Sequence, residues 1–147
     1  MLNSFAQTSG SDVENIFVSK LSSGERQGSD RIRFFDHLGK RILLVDLSKC
    51  SPREAEETTR RVPDVVTAEP RGSLLILTDF DGSTFDAAAL RALKETAVFD
   101  KPFVQKSALV GTLSLPREFH DEMETFSRRD FAIFGTREEA LRWLVLD

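Results

Sequence analysis

Three apolar runs with helical sequence between them limit what this chain can fold into more than any other feature. Residues 42–47 (ILLVDL), 74–78 (LLILT) and 103–111 (FVQKSALVG) are rich in aliphatic side chains. A strand with one wet face alternates polar and apolar residues, whereas a strand covered on both faces reads as a continuous apolar run. Buried strands alternating with helices indicate a parallel sheet with right-handed crossovers.

The helical signals between the runs are specific. Ser51 can cap a helix, Pro52 suits its first position, and Glu54 completes a capping box. Ala55, Thr59, Val62 and Val66 follow on one face, and Pro63 predicts a kink or a division into two short helices. Residues 86–98 place Leu90, Leu93 and Ala97 on one face. Leu115, Phe119, Met123 and Phe126 form an apolar stripe on the next helix. Residues 131–134 read as a short strand, and Thr136–Glu139 as a second capping box opening a helix through Ala140, Leu141, Leu144 and Val145. Upstream, residues 31–36 are strand-like, and His37–Lys40 carries a turn glycine, which predicts a hairpin into residues 41–47. The expected fold is therefore α/β, with a mixed, mostly parallel sheet: an N-terminal hairpin followed by four β-α units, the first strand antiparallel. Residues 1–30 differ, being rich in Ser, Gln and Gly around one apolar patch, Val13–Leu21. They read as an N-terminal arm, partly flexible or docked, outside a domain over residues 31–147.

Composition narrows the function. A net charge of -4 and a pI near 5.3, with no basic stripe, argue against nucleic-acid binding. No run approaches the roughly 20 apolar residues of a membrane helix. The first residues have neither the basic nor the apolar region of a secretory signal, and together with a lone cysteine this points to the cytoplasm. One Cys, two His and no Tyr exclude a disulfide framework, a multi-thiolate zinc site and Tyr chemistry. No cofactor is implied.

In open parallel sheets, ligands bind outside the carboxyl ends of the strands. Four turns should gather there, at residues 48–51, 79–84, 111–114 and 135–136, each leading towards a helix start. Exposed N–H groups at such starts favour anions, although capping preferences alone account for the Ser, Thr and Gly. Ser48, Asp79, Asp81, Ser83, Thr84, Asp86 and Thr112 are the candidate ligand- or partner-binding residues of these turns.

Residues 74–84 (LLILTDFDGST) look like the first motif of haloacid-dehalogenase-type phosphatases. In that reading Asp79 attacks phosphorus, Asp81 serves as acid/base, and oxygen ligands hold Mg²⁺. No later strand ends in the acidic pair such enzymes need for the metal, and too little chain follows the motif for their fold. In the competing reading Asp79 braces the turn and Gly82 gives it backbone freedom. His120 and Glu124, one helical turn apart, lack an evident third metal ligand. His37 belongs to the hairpin turn, and Cys50 follows a strand near a helix start without a His to activate it. The 12 Phe residues mostly fall at core positions.

Residues 42–48 (ILLVDLS), 70–79 (PRGSLLILTD), 101–111 (KPFVQKSALVG) and 137–144 (REEALRWL), in this order and spacing, resemble the SpoIIAA-like (STAS/SEC14-like) family over residues 31–146. The resemblance implies a compact β-α superhelix and a non-enzymatic role in protein–protein regulation. The bacterial antagonists of this family carry Asp-Ser-Ser-Gly at the helix after the second parallel strand, where a serine is phosphorylated. Here Asp86 matches, but Ala87 and Ala88 have no hydroxyl, and Ser83 and Thr84 are the nearest ones. The expected function is a bacterial, cytoplasmic, STAS-like regulatory module with a protein partner and no phosphoserine. The alternatives are carriage of an apolar, lipid-like ligand, suggested by the SEC14-like layout, and a phosphatase using Asp79 and Asp81. An exposed edge strand or apolar helix face would permit a homodimer.

Overall fold

A computed structural model describes residues 31–127 and 131–146; the arm over residues 1–30 lies outside them. The chain forms β1 (Ile32–His37), β2 (Lys40–Asp46), α1 (Pro52–Val66), β3 (Leu74–Asp79), α2 (Ala87–Asp100), β4 (Val104–Val110), α3 (Arg117–Ser127), β5 (Ala132–Phe134) and α4 (Arg137–Leu144). Short 3-10 turns, Lys101–Phe103 and Thr112–Ser114, flank β4. The α/β class and the hairpin-then-four-units order match the expectation from sequence. β1 pairs antiparallel with β2, and Leu38 and Gly39 both take positive φ in the turn between them. That is the handedness a two-residue hairpin turn needs to follow the strand twist. From β2 onward every pairing is parallel, and the strand order is β1-β2-β3-β4-β5.

Strand order equal to chain order has a packing consequence. Crossovers of one hand that always step in the same direction leave their helices on the same side of the sheet. Leu43, Val45, Ile76 and Leu109 accordingly share one core with Ala55, Val62 and Val66 of α1, Leu93 of α2 and Phe119 of α3. The residues between them, Ile42, Leu44, Leu75, Leu77, Ala108 and Val110, face the other way and pack with Ala140 and Leu144 of α4. Ile42, Leu43, Leu44 and Leu77 keep at most 1% of their surface in water. Burial on that scale contributes roughly 1.5–3 kcal/mol per side chain. The double-sided cover is why the strands read as unbroken apolar runs.

Three local expectations change. Pro63 does not divide its helix: α1 runs continuously from Pro52 to Val66. A proline here removes the N–H that would bond the Thr59 carbonyl. That carbonyl instead accepts from Thr96 Oγ1 of α2 at 3.4 Å, so the neighbouring helix covers the lost bond. The N-terminal box of α1 is complete, with Glu54 N donating to Ser51 Oγ at 3.2 Å and Ser51 N to Glu54 Oε1 at 2.9 Å. At α4 only half the box forms. Glu139 N donates to Thr136 Oγ1 at 3.1 Å, but Glu139 Oε1 accepts from Gly135 N. Finally, α3 starts at Arg117, so Leu115 precedes the helix although it is buried with Phe119. The side chains of Met123 and Phe126 lie outside the described residues.

Candidate functional site

Strand alternation decides which side chains meet at the carboxyl end of the sheet. Asp46 continues the row Ile42–Leu44, and Asp79 continues Leu75–Leu77, so both carboxylates project to the α4 side. They are also paired in register across β2 and β3. Like charges in that position repel. Arg137, the first residue of α4, lies between them. Its Nε donates to Asp79 Oδ2 at 2.6 Å, and its outer nitrogen stands 3.4 Å from Asp46 Oδ1. Asp79 Oδ1 accepts from Asp81 N at 2.9 Å, bracing the turn that follows β3. Both oxygens of Asp79 are therefore occupied, and the residue is 5% exposed.

A ligand crevice forms in an open α/β sheet where neighbouring strands send their connections to opposite faces. The segments after β2, β3 and β4 all lead to helices on one face, so no such reversal separates them. The reversal falls between β4 and β5, since α4 packs on the other face, and Arg137 at its start reaches back to the ends of β2 and β3. Asp46 has a second set of partners: Ser48 Oγ at 2.5 Å and Ser48 N at 3.0 Å both donate to its Oδ1. Arg31 Nη1 secures the same strand end by donating to the carbonyls of Asp46 (3.0 Å) and Ser48 (3.1 Å). Partial burial pushes the Asp46 carboxyl up. The side-chain and backbone bonds from Ser48, with the Arg137 and Arg31 charges, outweigh it and hold the group below the ordinary carboxylate value. A carboxyl depressed in the folded state binds fewer protons there than in the unfolded chain. It adds stability above its unfolded value and loses it as pH falls through the folded value. The stability advantage of the wild type over Asp46→Asn, measured by urea unfolding, should hold at pH 7 and shrink below about pH 4. An advantage independent of pH would show that the charge of Asp46 contributes nothing.

The loops after β2, β3 and β4 are sewn together by their backbones. Leu47 N donates to Asp79 O, Lys49 N to Asp81 O, and Phe80 N to Val110 O, each at 2.8 Å. Gly111, at φ +73°, lies so close to the next loop that an added Cβ would stand 2.5 Å from Asp81 N. Within this frame the candidate residues separate. Ser48, Asp79 and Ser83 are engaged internally: Ser83 is buried, and its Oγ donates to Phe80 O. Asp81, Thr84 and Asp86 are exposed. Thr84 Oγ1 still reaches Cys50 O at 3.3 Å, and Asp86 caps α2 by accepting from Ala89 N at 2.8 Å. Thr112 is half-buried, and Leu113 beside it is fully exposed.

The remaining candidates do not join this group. Burial pushes the Cys50 thiol up to about 11, against the opposing charge of Arg31, so it stays protonated at neutral pH. His37 ends β1 at the hairpin. His120 and Glu124 fall within α3, but their side chains lie outside the described residues. Among the described residues no group of three His, Cys, Asp or Glu could hold a metal ion, and no helix is long and apolar enough to cross a membrane. Comparison with known protein families, curated proteins and solved structures finds no match to this chain.

Sequence reasoning did not anticipate Arg137, Arg31 or the contact of Gly111. One signal for Arg137 was available. A cation at the first position of a helix opposes the helix dipole, so it asks for nearby anions. The sequence offers two at strand ends, Asp46 and Asp79. The Gly111 contact has no comparable signal, because a strand-end glycine is ordinary.

Proposed function

We propose that the chain is a non-enzymatic regulatory module of SpoIIAA-like, STAS-type character, acting through a protein partner in the cytoplasm. The partner docks on a rim formed by Asp81, Thr84, Asp86, Thr112 and Leu113. Ser48, Asp79 and Ser83 build that rim from below and do not touch the partner. The carrying observation is the engagement of both Asp79 oxygens, one by Arg137 and one by the Asp81 amide. An in-line attack on phosphorus needs a free carboxylate oxygen, and this carboxylate already neutralises a cation. What stays accessible is an edge that carries Asp81 and Asp86, with Lys49 beside Gly82 and one fully exposed leucine. Such an edge suits a partner with basic groups around an apolar pocket.

Two measurements test the reading. With Mg²⁺ and para-nitrophenyl phosphate, the protein should show no turnover above buffer. Turnover abolished by Asp79→Asn would overturn the proposal in favour of a phosphatase. For the rim, Leu113→Asp should leave the melting temperature within about 2 °C, since isolated surface substitutions stay within about 0.5 kcal/mol. The same variant should lose a partner protein that co-purifies with the wild type. Equal retention by both proteins would move the interface elsewhere.

A further inference from the structure

A cavity of about 60 Å³ lies between the sheet and the α1–α2 pair, with Leu47 and Phe80, the residues that follow β2 and β3, in its wall. Most of its wall is apolar, including Val45, Val62, Leu93 and Leu109. Hydroxyls interrupt that wall from three directions: Thr59 on α1, Thr96 on α2, and Thr78 and Ser107 on β3 and β4. Register explains the last pair. Ile76 faces Ser107 and Thr78 faces Leu109, so the two hydroxyls sit diagonally on the helix-covered face. Thr59 is 2% exposed, and its Oγ1 has no hydrogen-bond partner. A buried hydroxyl left in that state is costly, so native interiors rarely keep one without an occupant. The neighbouring Thr96 hydroxyl does not serve it, because it is directed to the Thr59 carbonyl freed by Pro63. Thr78 lies in the central strand beneath the helices yet is only half-buried, so the space communicates with solvent.

We propose that this cavity binds a small neutral molecule carrying hydroxyl groups on a short aliphatic frame. The size follows from the volume: about 10–15 Å³ per water-sized occupant gives roughly four to six non-hydrogen atoms. Neutrality follows from the wall. Hydroxyls both donate and accept, and one can also donate to Asp100, the acidic group lining the space. A lipid chain is excluded by volume, since pockets for drug-sized ligands measure roughly 300–1,000 Å³.

The experiment is an NMR titration of the ¹⁵N-labelled full chain with propane-1,2-diol, using sucrose, which is too large to enter, as the reference for general solvent effects. Saturable shifts are expected at the amides of Thr59, Thr78, Thr96 and Ser107 with the diol and not with sucrose. Thr59→Val should weaken diol binding about five-fold, the loss of one hydrogen bond, while raising the melting temperature of the unliganded protein. If that variant does not fold, Thr78→Val carries the same expectation for affinity. Linear shifts common to both additives, or unchanged affinity in the variant, would show that the cavity holds water only and would overturn the proposal.

Discussion

Replacing Arg137 with alanine should destabilise the protein by about 2–4 kcal/mol. The variant leaves Asp79, almost fully buried, beside Asp46 with no cation between them. Breaking a buried pair by removing one partner costs about 3–5 kcal/mol, and an exposed pair contributes about 0–1. Arg137 keeps 38% of its side-chain surface in water against 8% for Asp79, which places the value between those limits. Urea unfolding at pH 7 measures it. The identity of the partner is tested by a cycle: Asp79→Asn in the Arg137→Ala background should restore part of the loss, because the orphaned charge is gone. A single-variant effect under about 0.5 kcal/mol would mean that the guanidinium is a surface ornament and that Asp79 is free for another role.

Gly111→Ala should cost at least about 3 kcal/mol for two reasons that add. The backbone at +73° disfavours any Cβ, and the methyl would meet the Asp81 backbone at 2.5 Å and 2.7 Å. Backbone atoms cannot swing aside as the end of a side chain can, so one of the two loops must move. Because Phe80 N bonds Val110 O and Lys49 N bonds Asp81 O, that movement spreads to three strand ends. The expected signature is a lowered melting temperature together with amide shift changes at Lys49, Asp81 and Thr84. Gly82→Ala supplies the contrast. It shares a positive φ, but its Cβ would meet only Lys49, with the side-chain Cγ nearest at 3.4 Å, so a loss of about 1 kcal/mol is expected. Equal losses at the two positions would show that the close approach at Gly111 adds nothing to the backbone strain.

Much of this architecture was legible because the deciding signals are local. Continuous apolar runs mark β2, β3 and β4 as covered on both faces. The Ser51–Glu54 box sets the start of α1 to the residue. What stayed hidden depends on register and on long-range contact. Asp79 and Arg137 are 58 positions apart, and only the pairing of Asp46 with Asp79 brings their shared cation into view. Pro63 misled for the same kind of reason. Its local effect is real, but the hydroxyl that covers it belongs to Thr96, 37 positions from Thr59. The site was half visible. Which turns gather at the sheet end follows from topology, while which of their hydroxyls and carboxylates are consumed internally follows from packing alone.

The succession β1-β2-β3-β4-β5 also bears on how the molecule is made. Each strand pairs with one that has already left the ribosome, so the sheet can lengthen by addition at one edge as synthesis proceeds. No later strand has to insert between earlier ones. Low sequence separation between partners favours rapid folding. The exception is α4, which recrosses β5, β4 and β3 on the uncovered face. Until it arrives, the row from Ile42 to Val110 has no α4 cover, and Asp46 and Asp79 have no Arg137 between them. Growth of the sheet and its completion are thus separate events. A chain folded without α4 would have one helix-covered face and one bare apolar face, and the segment that covers the second face also brings the neutralising charge.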